Sequence, residues 1–140
     1  MTLLLVEADV LVRHALGEYL RACDIIVIEA VDANDARAIL VAGPEIDVLL
    51  SDAQLAGEGG GFALAQWVHR HRPEIEVMLT ASLEHKAQTA AAIVARFPHC
   101  KPASDATKLA AKLSGMLAER KRRLRQQPKT APAKRKRLRA

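Results

Sequence analysis

The stretch VLLSDAQLAGEGGG, from Val48 to Gly61, joins an apolar run to an acidic residue and a flexible loop. The apolar run is long enough for a buried strand and ends at Ser51 and Asp52. The loop that follows holds four of the seven glycines of the chain. Ligands of open α/β sheets bind outside the carboxyl ends of the strands. The stretch therefore predicts a functional carboxylate at a strand end, beside a loop whose glycines adopt positive φ angles and approach a ligand.

Strands and helices alternate along the first 120 residues. Apolar and β-branched runs predict strands at residues 2–6, 25–30, 47–51, 75–80 and 96–100. Helical periodicity predicts helices at residues 10–23, 32–43, 62–71 and 84–95, and a last one capped by Ser104 or Asp105. The fifth strand has the weakest pattern, because Pro98 cannot donate a hydrogen bond to a sheet. Such alternation predicts an α/β fold with a doubly wound, five-stranded parallel sheet and five helices.

The charges divide the chain into two parts. Residues 1–120 contain all 16 acidic residues and 11 basic ones, for a net charge of −5. Residues 121–140 contain the other 10 basic residues and no acid. We therefore expect a globular domain over residues 1–120 and a basic, flexible C-terminal tail over residues 121–140.

The composition also indicates where in the cell the protein works. No apolar run approaches the roughly 18 residues that a membrane span needs, and the N-terminus does not resemble a signal peptide. Two cysteines, Cys23 and Cys100, are too few for a disulfide framework and lack metal-binding spacing. We expect a cytoplasmic protein in which both thiols are ordinary small core residues.

Polar residues stand at four of the predicted strand ends. Glu7 and Asp9 follow the first strand, Asp52 ends the third, Thr80 ends the fourth and Lys101 ends the fifth. The carboxyl ends of parallel strands share one edge of a sheet, so these residues are expected to meet there. The carboxylates suit Mg²⁺, and Asp52 is the candidate nucleophile for an aspartyl-phosphate. The lysine and the threonine hydroxyl would bind phosphoryl oxygens.

In this arrangement the sequence resembles a response-regulator receiver domain of two-component signalling. The matching pieces are LLLVEADVLVRHAL, DVLLSDAQLAGEGGGFALA, VMLTAS and CKPAS, in that order. Together they extend over residues 1 to about 120. The resemblance implies a flavodoxin-like sheet with strand order 2-1-3-4-5. It also implies a stand-alone response regulator that signals by protein–protein contact.

The resemblance further assigns the chemistry of the site. Asp52 would accept a phosphoryl group from a sensor histidine kinase or a phosphotransfer protein, with Thr80 and Lys101 assisting. Mg²⁺ would be held by Asp52, by an acid after the first strand, either Glu7 or Asp9, and by the backbone carbonyl of Gln54. The chain would not be an enzyme beyond catalysing its own phosphorylation and dephosphorylation.

Three features depart from the family pattern. Ala8 stands where a second acid is usual, with Asp9 one residue further on. Asp9 could instead cap the first helix. The loop after Asp52 has Ala56 where proline is common, and Pro98 stands three residues before Lys101, where it disturbs the usual aromatic position. These departures motivate an alternative function, a degenerate pseudo-receiver that binds a partner without phosphorylation.

The basic tail allows several interpretations. Residues 120–139 could make weak, salt-dependent contacts with nucleic acid or with an acidic surface. A solubilising extension is an equal alternative. No helix-turn-helix pattern follows residue 120, so sequence-specific DNA recognition is not expected.

Overall fold

A computed structural model describes residues 1–57, 59–102 and 104–127. The strands are β1 (Thr2–Val6), β2 (Ile26–Ala30), β3 (Val48–Asp52) and β4 (Glu76–Thr80). The helices are α1 (Val10–Arg21), α2 (Ala33–Val41), α3 (Gly60–His71), α4 (Leu83–Val94) and α5 (Ala106–Arg125). None of these helices is long and apolar enough to cross a membrane.

All four strands are parallel and form one sheet in the order β2-β1-β3-β4. The ladder pairs Val6 of β1 with Ser51 of β3, and Asp52 of β3 with Thr80 of β4. This register brings the ends of β1, β3 and β4 to the same side of the sheet, which we call the carboxyl edge. The opposite side, where the strands begin, is the amino edge. The parallel sheet and five helices are therefore confirmed.

Helices cover both faces of the sheet, which explains why its strands are apolar at almost every position. Leu3 and Leu5 of β1 face a core formed with α1, α4 and α5. Leu4 and Val6 of the same strand point to the other face, where they pack with residues of α2 and α3. Side chains alternate between the two faces because successive residues of a strand point in opposite directions.

The predicted fifth strand at residues 96–100 is wrong: the sheet of the described residues has four strands. The segment forms turns instead, in which the Phe97 N–H donates to Val94 O and the Cys100 N–H donates to Phe97 O, at 3.0 and 2.9 Å. Pro98 lies between them and has no N–H to offer a neighbouring strand. The chain therefore passes from α4 to α5 without entering the sheet.

This missing strand sets the direction of α5. Just before its first turn, the carbonyl of Ser104 accepts a 3.0 Å hydrogen bond from the Tyr19 hydroxyl, near the end of α1. Toward the other end of the helix, Arg120 pairs with Asp9, directly before α1. Since α1 runs from the carboxyl edge to the amino edge, α5 runs the opposite way. Its basic last turns consequently reach the carboxyl edge.

The expectation that Cys23 and Cys100 are ordinary core thiols is wrong. The two residues form a disulfide, with their Cα atoms 5.3 Å apart. Cys23 lies between α1 and β2, and Cys100 lies in the connection from α4 to α5. Their separation of 77 residues gives no local signal, because only the fold brings these two turns together.

Helix α5 continues to Arg125, beyond the predicted domain boundary at residue 120. Residues 121–127 are exposed to solvent. The rest of the predicted tail, from residue 128 onward, lies outside the described residues, so its expected flexibility stays a prediction.

The glycine-rich loop after β3 adopts the predicted backbone geometry. Gly57, Gly59 and Gly60 have φ angles of 107, 70 and 64°, a region that favours glycine. Gly61 has a different role, since its N–H donates to Ala53 O at 3.1 Å and brings the start of α3 against the end of β3. A Cβ atom at Gly61 would lie 2.8 Å from the Cα atom of Ala53 and would overlap the carbonyl oxygen of Asp52.

We predict that Gly61→Ala destabilises the protein by about 1–3 kcal/mol, because the added methyl group has no room beside the backbone of β3. Gly115→Ala is the matched control: Gly115 lies inside α5 with nothing within 4 Å of an added Cβ atom. This control should stabilise the protein by roughly 0.5–1 kcal/mol. Urea unfolding measures both changes, and equal effects of the two substitutions would contradict the tight contact at Gly61.

Candidate functional site

Asp52 lies at the carboxyl edge, as predicted, on the last residue of β3. Its side chain is 15 % exposed. One carboxylate oxygen, Oδ1, accepts the backbone N–H of Gln54 at 2.9 Å, which fixes the direction of the carboxylate. The other, Oδ2, accepts a hydrogen bond from the ammonium group of Lys86 at 3.1 Å.

Glu7 follows β1 and is the second acid of the site. It is almost fully buried, with 4 % of its surface exposed. Its Oε2 atom accepts the backbone N–H of Asp9 at 2.9 Å. Its Oε1 atom accepts a 2.5 Å hydrogen bond from Lys86. The prediction that Glu7 and Asp52 share one site therefore agrees with the geometry.

Lys86 joins the two acids. It belongs to the first turns of α4 and is 7 % exposed, so its ammonium group is removed from water. Burial works to lower the pKa of Lys86, but the hydrogen bonds and charges of Glu7 and Asp52 outweigh burial and raise that pKa above its ordinary value. Lys86 is consequently charged at neutral pH and neutralises part of the acidic pair.

Sequence reasoning missed Lys86. A usable signal exists, because Lys86 stands one helical turn before Ala90 and two turns before Ile93, both buried on the inner face of α4. A lysine on a buried helical face requires an acidic partner. Since α4 follows β4 directly, its first turns lie at the carboxyl edge, where the acids stand.

Asp9 belongs to a neighbouring but separate arrangement. Its Oδ1 atom caps α1 by accepting the N–H groups of Leu11 and Val12, which confirms the capping alternative. Arg120 of α5 binds both oxygens of the same carboxylate, at 3.1 and 2.6 Å. The hydrogen bond from Arg120 holds the pKa of Asp9 below its usual value, with further help from the capped N–H groups and against partial burial.

Thr80 ends β4 directly opposite Asp52 and is 2 % exposed. Its hydroxyl group donates to the carbonyl of Ser51 at 3.4 Å, so in this arrangement it is hydrogen-bonded to the backbone of β3. Gln54 is exposed and anchors the Asp52 carboxylate through its N–H. Thr80 and Gln54 are thus close to Asp52, as expected.

The structure does not bring Lys101 to this site. Lys101 is exposed and lines a cavity together with Cys23 and Asp24, at the turn from α1 to β2. That turn lies at the amino edge, on the far side of the sheet from Asp52. The cause is the missing fifth strand, which would have carried Lys101 across to the carboxyl edge. Lys86 provides the lysine of the site instead.

The carboxylates expected to bind Mg²⁺ are paired with donors of the chain itself in this arrangement. Every carboxylate oxygen of Glu7, Asp9 and Asp52 already accepts a hydrogen bond from the chain itself. Lys86 pairs with Glu7 and Asp52, and Arg120 pairs with Asp9. Within residues 1–57, 59–102 and 104–127, no three acidic, histidine or cysteine side chains are grouped to hold a metal. The ammonium group of Lys86 pairs with both Glu7 and Asp52, two of the acids to which Mg²⁺ was assigned.

We predict that Lys86→Met lowers the free energy of unfolding by about 3 kcal/mol, since it leaves the buried Glu7 and the partly buried Asp52 without their cation. Lys108→Met, at an exposed position of α5, should change stability by less than about 0.5 kcal/mol. Adding Glu7→Gln to Lys86→Met should restore part of the loss, because the two residues interact directly. Urea unfolding of the four proteins tests this, and equal effects of the two lysine substitutions would contradict the buried ion pairs.

Comparisons with known proteins agree with this architecture. No protein-family model matches the sequence, and a search of curated proteins found no match. Among solved structures, a response regulator receiver protein from Pseudomonas putida aligns with a TM-score of 0.53 and 23 % identity, over 57 % of this chain and 66 % of that one. The non-phosphorylated HemR receiver domain from Leptospira biflexa aligns with a TM-score of 0.50 and 26 % identity, over 56 % of this chain and 61 % of that one.

A third structure covers more of both chains. A response regulator receiver domain protein from Clostridium thermocellum aligns with a TM-score of 0.55 and 14 % identity, over 86 % of this chain and 96 % of that one. The chain spans less than two thirds of the length of the first two structures. The comparisons therefore show the receiver-type α/β fold, here with four strands in the described residues.

Proposed function

We propose that this chain is a receiver-type signalling module that acts by binding a partner protein, and that its acidic site is closed by its own Lys86. This is the pseudo-receiver alternative that Ala8 and Pro98 suggest in the sequence. On this proposal the module works in the cytoplasm and catalyses no reaction on another molecule.

The observation that carries the proposal is the position of the Lys86 ammonium group, 2.5 Å from Glu7 and 3.1 Å from Asp52. A receiver that accepts phosphate needs a free carboxylate and a cation that offsets the charge of the incoming group. Here the chain supplies a cation that already pairs with both acids. A phosphoryl donor would have to displace the Lys86 ammonium group from the partly buried Asp52, which costs the energy of that ion pair.

The same contact suggests how the module presents a surface. Lys86 ties the start of α4 to the carboxyl edge, and α4 packs along α5. The outer face of these two helices is then held in one arrangement without a phosphorylation signal. We infer that a downstream protein recognises this α4–α5 face.

The end of α5 adds a basic component to that face. Lys121, Arg122, Arg123 and Arg125 are exposed, and Arg122 and Arg123 pair with Glu119. An acidic protein surface would complement this end of the helix. Contact with nucleic acid through residues 120–139 stays a prediction, since most of that stretch lies outside the described residues.

A second function is supported by a specific observation. Asp52 is partly exposed at the carboxyl edge, opposite Thr80, and has a lysine ammonium group at 3.1 Å. If Lys86 moved from the carboxylate to an incoming phosphoryl group, Asp52 could accept that group from a sensor histidine kinase or a phosphotransfer protein. On this alternative the chain is a stand-alone response regulator, and Lys86 has the role that the sequence assigned to Lys101.

Incubation of the full chain with acetyl phosphate, with and without Mg²⁺, separates the two functions. A phosphate-affinity gel should show no retarded band for the wild type beyond that of Asp52→Asn, because Lys86 holds the acceptor. A receiver domain that accepts phosphate from the same donor serves as the positive control.

A retarded band that requires Asp52 and Mg²⁺ would overturn the proposal and favour the phosphorylated response regulator. In that case Lys86→Met should reduce the yield of phosphorylated protein, whereas Lys101→Gln should leave it unchanged. The reverse pattern would mean that Lys101 reaches the site in solution.

A further inference from the structure

The disulfide joins two turns at the amino edge, far from the acidic site. Cys23 lies in the turn after α1 and is 5 % exposed, whereas Cys100 is half-buried in the connection between α4 and α5. The bond closes a loop of 77 residues and fixes the start of α5 against α1. Nothing in the proposed function uses this bond.

A cavity of about 390 Å³ opens beside the disulfide. Its lining includes both cysteines, together with Asp24, His99 and Lys101. The volume lies within the range of pockets that hold small ligands. Lys101 and the carboxylate of Asp24 both line the cavity, and the positive charge of Lys101, next to Cys100 in the chain, would attract the anionic group of a small thiol that approaches Cys100.

Lys101 also bears on the reactivity of the bond. It directly follows Cys100, and a neighbouring cation stabilises a thiolate, so it makes Cys100 a better leaving group when a mixed disulfide at Cys100 is attacked. Disulfides that a small thiol can reach are the ones that exchange readily, whereas fully enclosed ones resist reduction. Cys100 is half-buried and lines the cavity, so a small thiol can reach its Sγ atom from that side.

We propose that Cys23 and Cys100 are a reversible redox site, which exchanges with a small anionic thiol of the glutathione class bound in this cavity. The thiolate of the first small thiol attacks Sγ of Cys100, the bond between the cysteines breaks, and Cys23 leaves as a thiolate that takes up a proton. A second small thiolate attacks the mixed disulfide and releases Cys100. The protein disulfide is reduced, and two small thiols are oxidised to one small disulfide.

The exchange has a consequence at the opposite edge of the sheet. Helix α5 begins six residues after Cys100, and its other end carries Arg120 to Asp9. With the disulfide open, the hydrogen bond from Tyr19 to Ser104 remains to tie this connection to α1. Reduction therefore loosens the start of α5 and weakens the hold of Arg120 on Asp9.

The first test equilibrates the full chain in buffers of reduced and oxidised glutathione and counts free thiols by alkylation with a large maleimide. Both thiols should appear together as the buffer becomes reducing, and both should disappear when the buffer is returned to oxidising conditions. Thiols that stay free in oxidised glutathione, or a disulfide that opens only when the protein unfolds, would overturn the proposal.

A second test addresses the cavity. Lys101→Gln should slow reduction by glutathione roughly twofold to fivefold, as expected for the loss of one partly solvated charge. Reduction by uncharged mercaptoethanol should slow less. Lys108→Gln, an exposed lysine of α5, is the matched control and should leave both rates unchanged. Equal reduction rates in all three proteins would contradict binding of the small thiol in this cavity and overturn the proposal.

Hydrogen exchange tests the link to α5. Reduction should increase amide exchange over residues 106–125, and the variants Cys23→Ser and Cys100→Ser should show the same increase without a reductant. Two variants are used so that a packing effect of one serine can be separated from the loss of the bond. Unchanged exchange in the reduced protein and in both variants would show that the bond does not control α5.

Discussion

The structure depends on one ammonium group held between two carboxylates. Glu7 and Asp52 end neighbouring strands, so the parallel register forces their charges together at the carboxyl edge. Two carboxylates at such a short distance repel each other unless a cation lies between them. Lys86 is that cation, and its pKa is raised because the two acids outweigh the effect of burial. The acids, in turn, hold the first turns of α4 on the sheet.

The second acid after β1 is neutralised from another helix. Asp9 caps α1 and is bound by Arg120, which reaches it because α5 runs from the amino edge to the carboxyl edge. Both α4 and α5 are therefore attached to the acidic edge by a basic side chain. A receiver with a fifth strand between α4 and α5 would present the other end of α5 here. The four-stranded arrangement thus changes which charges surround the site.

Local patterns in the sequence were sufficient for much of this fold. The first four strands, the caps at Asp9 and Asp105, and the positive φ angles of the glycine loop follow from apolar runs, helix-start signals and glycine chemistry. The prediction of a fifth strand was wrong because Pro98 and two turn hydrogen bonds compete with sheet pairing. Pro98 already counted against this strand in the sequence, since proline lacks the N–H group that a strand donates.

The site was predicted less completely than the fold. Asp52, Glu7 and Thr80 meet because strand ends share an edge, which alternation alone predicts. Lys101 was misplaced because its position depended on the fifth strand. The disulfide was missed because only the packing of the fold brings Cys23 and Cys100 together, over a separation of 77 residues that leaves no local pattern. Lys86 was missed although its place on the buried face of α4 indicates an acidic partner, because its partners Glu7 and Asp52 are 79 and 34 residues away in the chain.

The position of Lys86 can be measured directly by NMR detection of lysine side-chain ammonium groups. We expect one ammonium signal that is protected from exchange with water at neutral pH, because the ammonium group of Lys86 is buried and hydrogen-bonded. That signal should vanish in Lys86→Met, shift in Asp52→Asn and persist in Lys101→Gln. A protected signal that vanishes in Lys101→Gln instead, or the absence of any protected lysine signal, would contradict the position of Lys86 between Glu7 and Asp52.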